Sequence, residues 1–252
     1  MSEKRSLQEI IQWEKRFQAF GLETLCSWDF AHDNGQNPAA TGVARKYADH
    51  FEELRKDGTG LSIFGGAGAG KSFVAAQIVN ELTDRGRHCL FTNMNTVMIE
   101  LNTLAFEGRR NFLNQLCDKD LLVLDDLGSE PETSYCNQIF IQIVNTCLAR
   151  NIPIIFTSPF HEDILSEDSK SSKRGMAIAR LLKRNISCNV LMPGPRRNAG
   201  LQQKRKAETL VKGGNAGRQG TIAGFEGPEA DCGETAAAEC LPQTVQQSLP
   251  LQ

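Results

Sequence analysis

The sequence predicts an α/β fold in which a mostly parallel sheet of five strands lies between two layers of helices. Short apolar runs, typical of buried strands, alternate along the chain with segments of helical periodicity. One such run, Leu61–Phe64, leads into a glycine-rich loop, and another, Leu121–Asp125, ends in acid. Because the ends of parallel strands meet at one edge of a sheet, these two loops are expected side by side.

The elements follow in order from their start and stop signals. Asn37 is a capping residue before Pro38, and it predicts a helix that continues to Asp57-Gly58. Further strands are expected over residues 61–64, 88–92, 121–125, 153–157 and 187–192. Helices are expected over residues 73–84, 93–106, 111–117, 134–150 and 176–184, with 107–110 as a connection and 167–174 as a polar loop.

The glycine-rich loop, residues 65–72 (GGAGAGKS), fills every fixed position of the P-loop pattern. Glycines let successive backbone N–H groups converge on phosphate oxygens, and the N-terminus of the next helix adds to the attraction. Lys71 is expected to reach the β- and γ-phosphates and Ser72 to ligate Mg²⁺. A glycine-rich turn with a chance Lys-Ser is the alternative, but the flanking strand and helix favour nucleotide binding.

Acidic and hydroxyl side chains end the next core strands. Asp125 is expected to hold Mg²⁺ and Asp126 to orient the attacking water, as a Walker B element does. Thr157 and Ser158 end the following strand, where a hydroxyl positions water or senses the γ-phosphate. The alternatives are an acidic turn that only terminates a strand and a hydroxyl that only caps one.

Three arginines are further candidates for contact with phosphate. Arg180, on a helix, is a candidate arginine finger for the ATP of a neighbouring subunit, or else a solvated helix charge. Arg196 and Arg197 follow the last strand, and one of them is a candidate for phosphate contact in cis. The candidate nucleotide-binding residues are Gly65, Gly66, Ala67, Gly68, Ala69, Gly70, Lys71, Ser72, Phe73, Thr157 and Arg196.

Composition and charge restrict the function classes. The 252-residue chain has a net charge of −2, so any DNA contact must come from a local basic patch such as residues 109–110 or 170–174. The eight cysteines form no CxxC pair, which argues against a zinc site and a disulfide framework. The absence of a signal peptide and of a long apolar span predicts a cytoplasmic protein without a membrane partner.

Three segments are expected. Residues 1–36 form a short helical N-terminal extension, which either packs on its own domain or docks a partner protein. Residues 37–198 form the ATPase domain. Residues 199–252, rich in Gly, Ala, Gln and Glu, are expected to be a disordered tail.

With these motifs in place the chain resembles the DnaC/IstB-type AAA+ ATPases, a family of helicase loaders and transposition helpers. The resemblance rests on residues 65–72, LLVLDDLGSEPET, IIFTSPF, IARLLKR and PGPRR. It implies a three-layer P-loop fold, ATP and Mg²⁺ as cofactors, weak ATPase activity and homo-oligomer formation on ATP binding. It also implies contact with single-stranded DNA and a replicative helicase as partner, docked through residues 1–28. The catalytic residues that it implies are Lys71, Asp125, Asp126, Ser158 and Arg180, and the metal ligands are Ser72 and Asp125.

Three departures from the family's pattern leave other functions open. Asp126 stands where many relatives have Glu, Pro159 where Asn is usual, and Ala179 where Asp often precedes the finger arginine. A transposition helper with a transposase partner is one alternative, and an ATP-binding adaptor without hydrolysis is another. A small-molecule kinase is disfavoured, because paired acids before a sensor strand fit ATP hydrolysis better and no acceptor lid is evident.

Overall fold

The computed structural model describes residues 6–159 and 172–189, in which five parallel strands form one sheet. The strands are β1 (Leu61–Phe64), β2 (Cys89–Asn93), β3 (Leu121–Asp125), β4 (Ile154–Ser158) and β5 (Ile186–Asn189). Their order in the sheet is β2-β3-β4-β1-β5, and each neighbouring pair is parallel. The predicted α/β class with a five-stranded parallel sheet is confirmed.

Side chains alternate between two buried cores, one on each face of the sheet. Leu121 and Val123 enter the first core, whereas Leu122 and Leu124 enter the second. The same alternation occurs in β4, where Ile155 faces the first core and Phe156 the second. Because successive residues of a strand point to opposite faces, four-residue apolar runs fill both cores.

Helices cover both faces of the sheet. The helices are α1 (Leu7–Phe20), α2 (Glu23–Cys26), α3 (Pro38–Asp49), α4 (Phe51–Lys56), α5 (Lys71–Asp84), α6 (Met94–Thr103), α7 (Phe106–Leu116), α8 (Ser134–Ala149) and α9 (Lys173–Arg184). Helices α1 to α5 contribute to the first core and α6 to α9 to the second. Among the helices so described, none is both long and apolar enough to cross a bilayer.

Side-chain caps fix the start of several helices where the sequence predicts them. The Asn37 side chain accepts a hydrogen bond from Ala40 N at 3.1 Å, with Pro38 in the first helical turn. The Thr133 side chain accepts one from Cys136 N at 3.2 Å at the start of α8. These bonds satisfy backbone donors that an α-helix leaves without partners at its N-terminus.

Two connections differ from the predicted ones. The single helix expected from Asn37 to Asp57 is interrupted at His50, which ends α3 and begins α4 without a Gly or Pro at the break. The segment 107–110, predicted to be a connection, is helical because α7 begins at Phe106. Arg109 N donates to Ala105 O at 3.1 Å, which closes the first turn although Gly108 disfavours helix.

The N-terminal segment packs on the sheet domain through an arginine. The Arg16 guanidinium contacts Asp29 at 2.9 Å and the two carboxylate oxygens of Asp84, the last residue of α5. Its Nη1 also donates to Cys26 O at 2.7 Å, and Phe20 packs against Phe91 of β2. Both carboxylates raise the pKa of Arg16 above its ordinary value, although burial opposes them. Helices α1 and α2 are therefore tied to the core.

Several sequence predictions fall outside the described residues. They concern residues 1–5, the part of the polar loop before residue 172, Arg196, Arg197 and the tail from 199 to 252.

Candidate nucleotide-binding site

Three strands bring the predicted site residues to one edge of the sheet. Strand β4 lies between β1 and β3, so that the P-loop, the acid pair and the hydroxyl pair follow adjacent strands. In the register of β1 and β4, Phe64 is paired with Ser158. The P-loop therefore begins beside the C-terminal end of β4, as expected for a ligand crevice in a parallel sheet.

The P-loop backbone depends on glycine at two positions. Gly68 has φ 75° and Gly70 has φ 87°, in the left-handed region that residues with a Cβ disfavour. Ala69 N donates to Gly66 O at 3.2 Å, which closes the loop on itself. Gly70 is also the N-cap of α5 and has no side chain to accept from the first-turn N–H groups. Those N–H groups and the helix dipole form an anion site.

Lys71 lies folded over the P-loop. Its side chain is largely buried, and Nζ donates to Gly66 O at 3.0 Å. Burial lowers the pKa of Lys71, and the charges of Asp126 and Asp125 oppose that shift. Among residues 6–159 and 172–189, this backbone carbonyl is the one hydrogen-bond acceptor of the ammonium, and a phosphate group that replaces the carbonyl is a stronger partner.

Both carboxylate oxygens of Asp125 accept hydrogen bonds from hydroxyl groups. Ser72 Oγ donates to Oδ2 at 3.0 Å, and Thr157 Oγ1 donates to Oδ1 at 2.7 Å. Burial raises the pKa of Asp125, against the two hydroxyl donors and Lys71, which favour the charged form. The P-loop and the acid pair thus touch directly, as predicted.

Asp126 is held in a left-handed turn with its carboxylate exposed. Its φ is 54°, which is uncommon for a residue with a Cβ. Its backbone N–H donates to Thr157 Oγ1 at 2.8 Å, while Ser129 Oγ donates to its carbonyl at 2.8 Å. One Thr157 hydroxyl therefore holds both acids: it donates to the Asp125 side chain and accepts from the Asp126 backbone.

The structure places the other predicted residues at different distances from the loop. Ser158 is fully buried at the end of β4. Phe73 lies in the first turn of α5, and its ring centroid is 5.7 Å from that of Trp28. Arg180 is exposed on α9, where its Nη1 donates to Asn145 Oδ1 at 3.1 Å, and within the described residues it makes no hydrogen bond or ion pair with the P-loop. Arg196 lies outside the described residues.

A buried ion pair beside the acid turn was not predicted. The buried Glu130 pairs with Arg174, which the sequence predicts to lie in a basic cluster at the surface; in the structure Arg174 is partly buried at the start of α9. The Arg174 guanidinium also lies 4.8 Å from the Phe140 ring centroid. A lone acid and a lone arginine 44 residues apart give no sequence signal, because their pairing depends on the packing of α9 against α8.

Oxygen ligands at this edge fit Mg²⁺. In an octahedron with metal–oxygen distances near 2.1 Å, adjacent ligands are about 3 Å apart. Ser72 Oγ and Asp125 Oδ2 are 3.0 Å apart, as two such ligands would be. Mg²⁺ commonly takes one or two protein ligands and completes its shell with water and phosphate, so the absence of a three-residue metal cluster among the described residues is compatible with this site.

Comparisons with known proteins agree with this geometry. A family model described as IstB-like ATP binding protein matches residues 22–168. The replicative helicase loader DnaI of Bacillus subtilis (strain 168) is 30% identical over 156 residues, which cover 59% of this chain and 50% of that protein. The replicative helicase loader DnaC of Escherichia coli (strain K12) is 37% identical over 111 residues, or 42% and 43% of the two chains.

A crystal structure of DnaI has the same fold. It aligns with a TM-score of 0.58 and 22% identity, and the match covers 73% of this chain and 99% of that one. The chain spans about half the length of the curated relatives that it matches.

Proposed function

Because the chain belongs to the family of IstB-like ATP-binding proteins, we propose that it is a Mg²⁺-dependent ATPase that loads a replicative helicase onto single-stranded DNA. The observation that carries the ATPase part is the chain of contacts Ser72–Asp125–Thr157–Asp126 beside the P-loop. The helicase part is supported by the relatives, which are named as replicative helicase loaders. The proposal includes a cytoplasmic location, where a replicative helicase and DNA are present in bacteria.

Nucleotide binding begins with the P-loop. The backbone N–H groups of residues 65–73 surround the phosphates, and Lys71 Nζ exchanges Gly66 O for the β- and γ-phosphate oxygens. Ser72 and Asp125 would hold Mg²⁺, which supplies charge neutralisation on the phosphates when bound. Thr157 keeps the Asp125 carboxylate oriented toward Ser72.

Asp126 is the residue that orients the attacking water. Its carboxylate is exposed at the turn after β3, and its backbone is fixed by Thr157 and Ser129. Because Asp is one methylene shorter than the Glu of many relatives, hydrolysis is expected to be slow, as suits a switch. Ser158, at the neighbouring strand end, is proposed to sense the γ-phosphate.

Assembly on ATP binding uses Arg180. The guanidinium is exposed on α9, and the exposed Asn145 is its one hydrogen-bond partner in the part of the chain that the structure describes, so it is available to the ATP of a second copy. We propose a homo-oligomer in which each subunit completes its neighbour's site. Arg196 is proposed to contact phosphate within the same chain.

The helicase partner is proposed to dock on α1. One side of this helix exposes Leu7, Ile10 and Ile11, although the opposite side is anchored by Arg16 and Phe20. An amphipathic helix with exposed aliphatic residues suits a hydrophobic groove on a partner. We retain residues 1–36 as the docking segment, 37–198 as the ATPase domain and 199–252 as a separate C-terminal segment.

Single-stranded DNA is proposed to contact the start of α7. Phe106 is 87% exposed there, and Arg109 and Arg110 follow at three and four residues, on the same side of the helix. An exposed aromatic ring beside cations provides both stacking and phosphate contact. The exposed ring of Phe106 supports this proposal, because the two arginines alone offer phosphate contact but no aromatic surface for stacking.

Capture of the partner tests the loader function. The tagged chain is purified from its host with ATP, and bound proteins are identified by mass spectrometry. Because α1 is anchored to the core, Leu7→Glu, Ile10→Glu and Ile11→Glu are combined in place of a deletion, with Ile99→Glu as a matched exposed control. We expect a replicative helicase whose recovery falls at least about tenfold in the triple variant only, a loss of about 1.4 kcal/mol.

Other partners would contradict the loader function. A transposase in the capture would assign the chain to the transposition helpers of the same family. ATP binding with neither hydrolysis nor helicase capture would indicate an adaptor.

A further inference from the structure

The turn after the acid pair is closed by Glu130. Gly128 N donates to Glu130 Oε2 at 2.8 Å, and Ser129 N donates to Asp126 O at 3.2 Å. Asp126 and Glu130 are therefore the two ends of one hydrogen-bonded turn. Glu130 is buried, so its charge requires a partner of opposite sign.

Arg174 supplies that partner and connects three elements. It pairs with Glu130 Oε1, and its Nη1 donates to Asn137 Oδ1 of α8 at 2.7 Å. Only 17% of its side chain is exposed. Removing one member of such a pair leaves a buried charge without compensation, so the acid turn and the start of α9 are held together.

The same helix carries Arg180. Arg180 follows Arg174 by six positions, which is about 9 Å along the helix axis. The far end of α9 is fixed independently, because Arg184 Nη1 donates to Leu148 O at 3.0 Å and Nη2 donates to Asn151 Oδ1 at 2.6 Å. The Glu130–Arg174 pair thus attaches the N-terminal end of α9 to the acid turn, while the C-terminal end of α9 packs on α8.

We propose that Glu130 and Arg174 are positioning residues that transmit occupation of the nucleotide site to Arg180. This inference rests on the proposed ATPase function and specifies how that site is regulated. A displacement of the Asp126 turn on ATP binding moves Glu130, and the buried pair moves the N-terminal end of α9 with it. The exposed Arg180 then changes its presentation to a neighbouring subunit.

The test compares the two ends of α9. Arg174→Gln and Glu130→Gln each remove one charge from the pair, and Arg184→Gln removes the anchor at the other end as the matched control. Measured quantities are the thermal midpoint Tm, kcat and KM for ATP hydrolysis, and the hydrogen exchange of α9 amides with and without ATP and Mg²⁺. Glu130→Gln keeps the shape of the turn and serves if Arg174→Gln does not fold.

We expect Arg174→Gln and Glu130→Gln to lower kcat roughly 10- to 100-fold, as displaced catalytic groups do, with KM changed less than about threefold. Arg184→Gln is expected to lower Tm without changing kcat more than about twofold. A normal kcat in both pair variants, or an equal loss in Arg184→Gln, would overturn the inference, because the pair would then be merely structural.

Hydrogen exchange separates this inference from the ATPase function. Suppose that ATP changes the hydrogen exchange of α9 amides in wild-type protein but not in Arg174→Gln. The coupling between the nucleotide site and α9 then holds, even if the wild-type protein does not hydrolyse ATP. If wild-type protein hydrolyses ATP while exchange in α9 is the same with and without nucleotide, the ATPase function stands and the coupling is wrong.

Discussion

Replacing Thr157 by valine removes one hydroxyl that serves both acids. The Thr157 side chain is fully buried, donates to Asp125 Oδ1 at 2.7 Å and accepts from Asp126 N at 2.8 Å. Valine has nearly the same shape, so Thr157→Val leaves the packing of β4 in place. It leaves one Asp125 oxygen without its donor and the Asp126 N–H without its acceptor.

The cost follows from these two bonds. A hydrogen bond to a charged group contributes about 1.5–3 kcal/mol and a neutral one about 1 kcal/mol. Because burial already raises the pKa of Asp125, loss of the Thr157 donor raises it further. We expect Thr157→Val to lower the free energy of unfolding by about 2–4 kcal/mol. We also expect kcat to fall about 10- to 100-fold through misplacement of both acids.

Two control variants make the test specific. Thr157→Ser keeps the hydroxyl and is expected to retain most of the activity, measured as phosphate release at saturating ATP and Mg²⁺. Thr146→Val makes the same chemical change at an exposed hydroxyl of α8 that bonds Gln142 O, and it is expected to change stability by less than about 0.5 kcal/mol. Equal activity of Thr157→Val and wild type, or equal damage from serine and valine, would refute the role of this hydroxyl.

Three further predictions concern the surroundings of the site. Arg16→Ala is expected to lower the free energy of unfolding by about 2–3 kcal/mol, because its ion pair with Asp84 is largely buried. Arg85→Ala is expected to lower it by no more than about 1 kcal/mol, because Arg85 pairs with Asp49 and Glu81 at the surface. Equal losses for the two variants in denaturant unfolding would contradict this. An added Cβ meets no atom within 4 Å at Gly66 or Gly68, so the two positions differ in backbone conformation and not in space. Gly68→Ala is expected to lower the free energy of unfolding by about 1 kcal/mol because of its positive φ, and Gly66→Ala by less than about 0.5 kcal/mol. A larger loss in Gly66→Ala than in Gly68→Ala would contradict this. Because the pKa of Asp125 is raised in the folded, nucleotide-free protein, its contribution to the free energy of unfolding is fully present below about pH 4 and is lost as the pH rises through the folded-state pKa. The free energy of unfolding should therefore fall with rising pH over this range in wild type, and Asp125→Asn should lack this part of the pH dependence.

The strands and the P-loop could be predicted because their signals are local. The P-loop at residues 65–72 and the acid pair Asp125-Asp126 are recognisable from the sequence alone. The order of the strands then places both at one edge of the sheet. The contact between Ser72 and Asp125 follows from that placement. Helix caps at Asn37 and Thr133 are likewise encoded by one side chain and its near neighbours.

What the sequence did not reveal depends on tertiary packing. Arg174 lies in a run of polar and basic residues that is typical of an exposed cluster, yet its side chain is partly buried because Glu130 and Asn137 contact it. The interruption at His50 has no breaker residue, and Gly108 lies inside a helix despite its low propensity. Local preference yields to packing in both cases. The exposed ring of Phe106 is apparent only once α7 is seen to begin there.

Phosphate release by the purified chain, with ATP and Mg²⁺, tests the central claim most directly. The claim is that the P-loop and the acid pair form a working ATPase site, in which Asp126 orients the water. We expect slow turnover by wild type and at least about a 100-fold lower rate in Asp126→Asn, with ATP affinity unchanged. Equal phosphate release by wild type and Asp126→Asn, with both binding ATP, would contradict the claim.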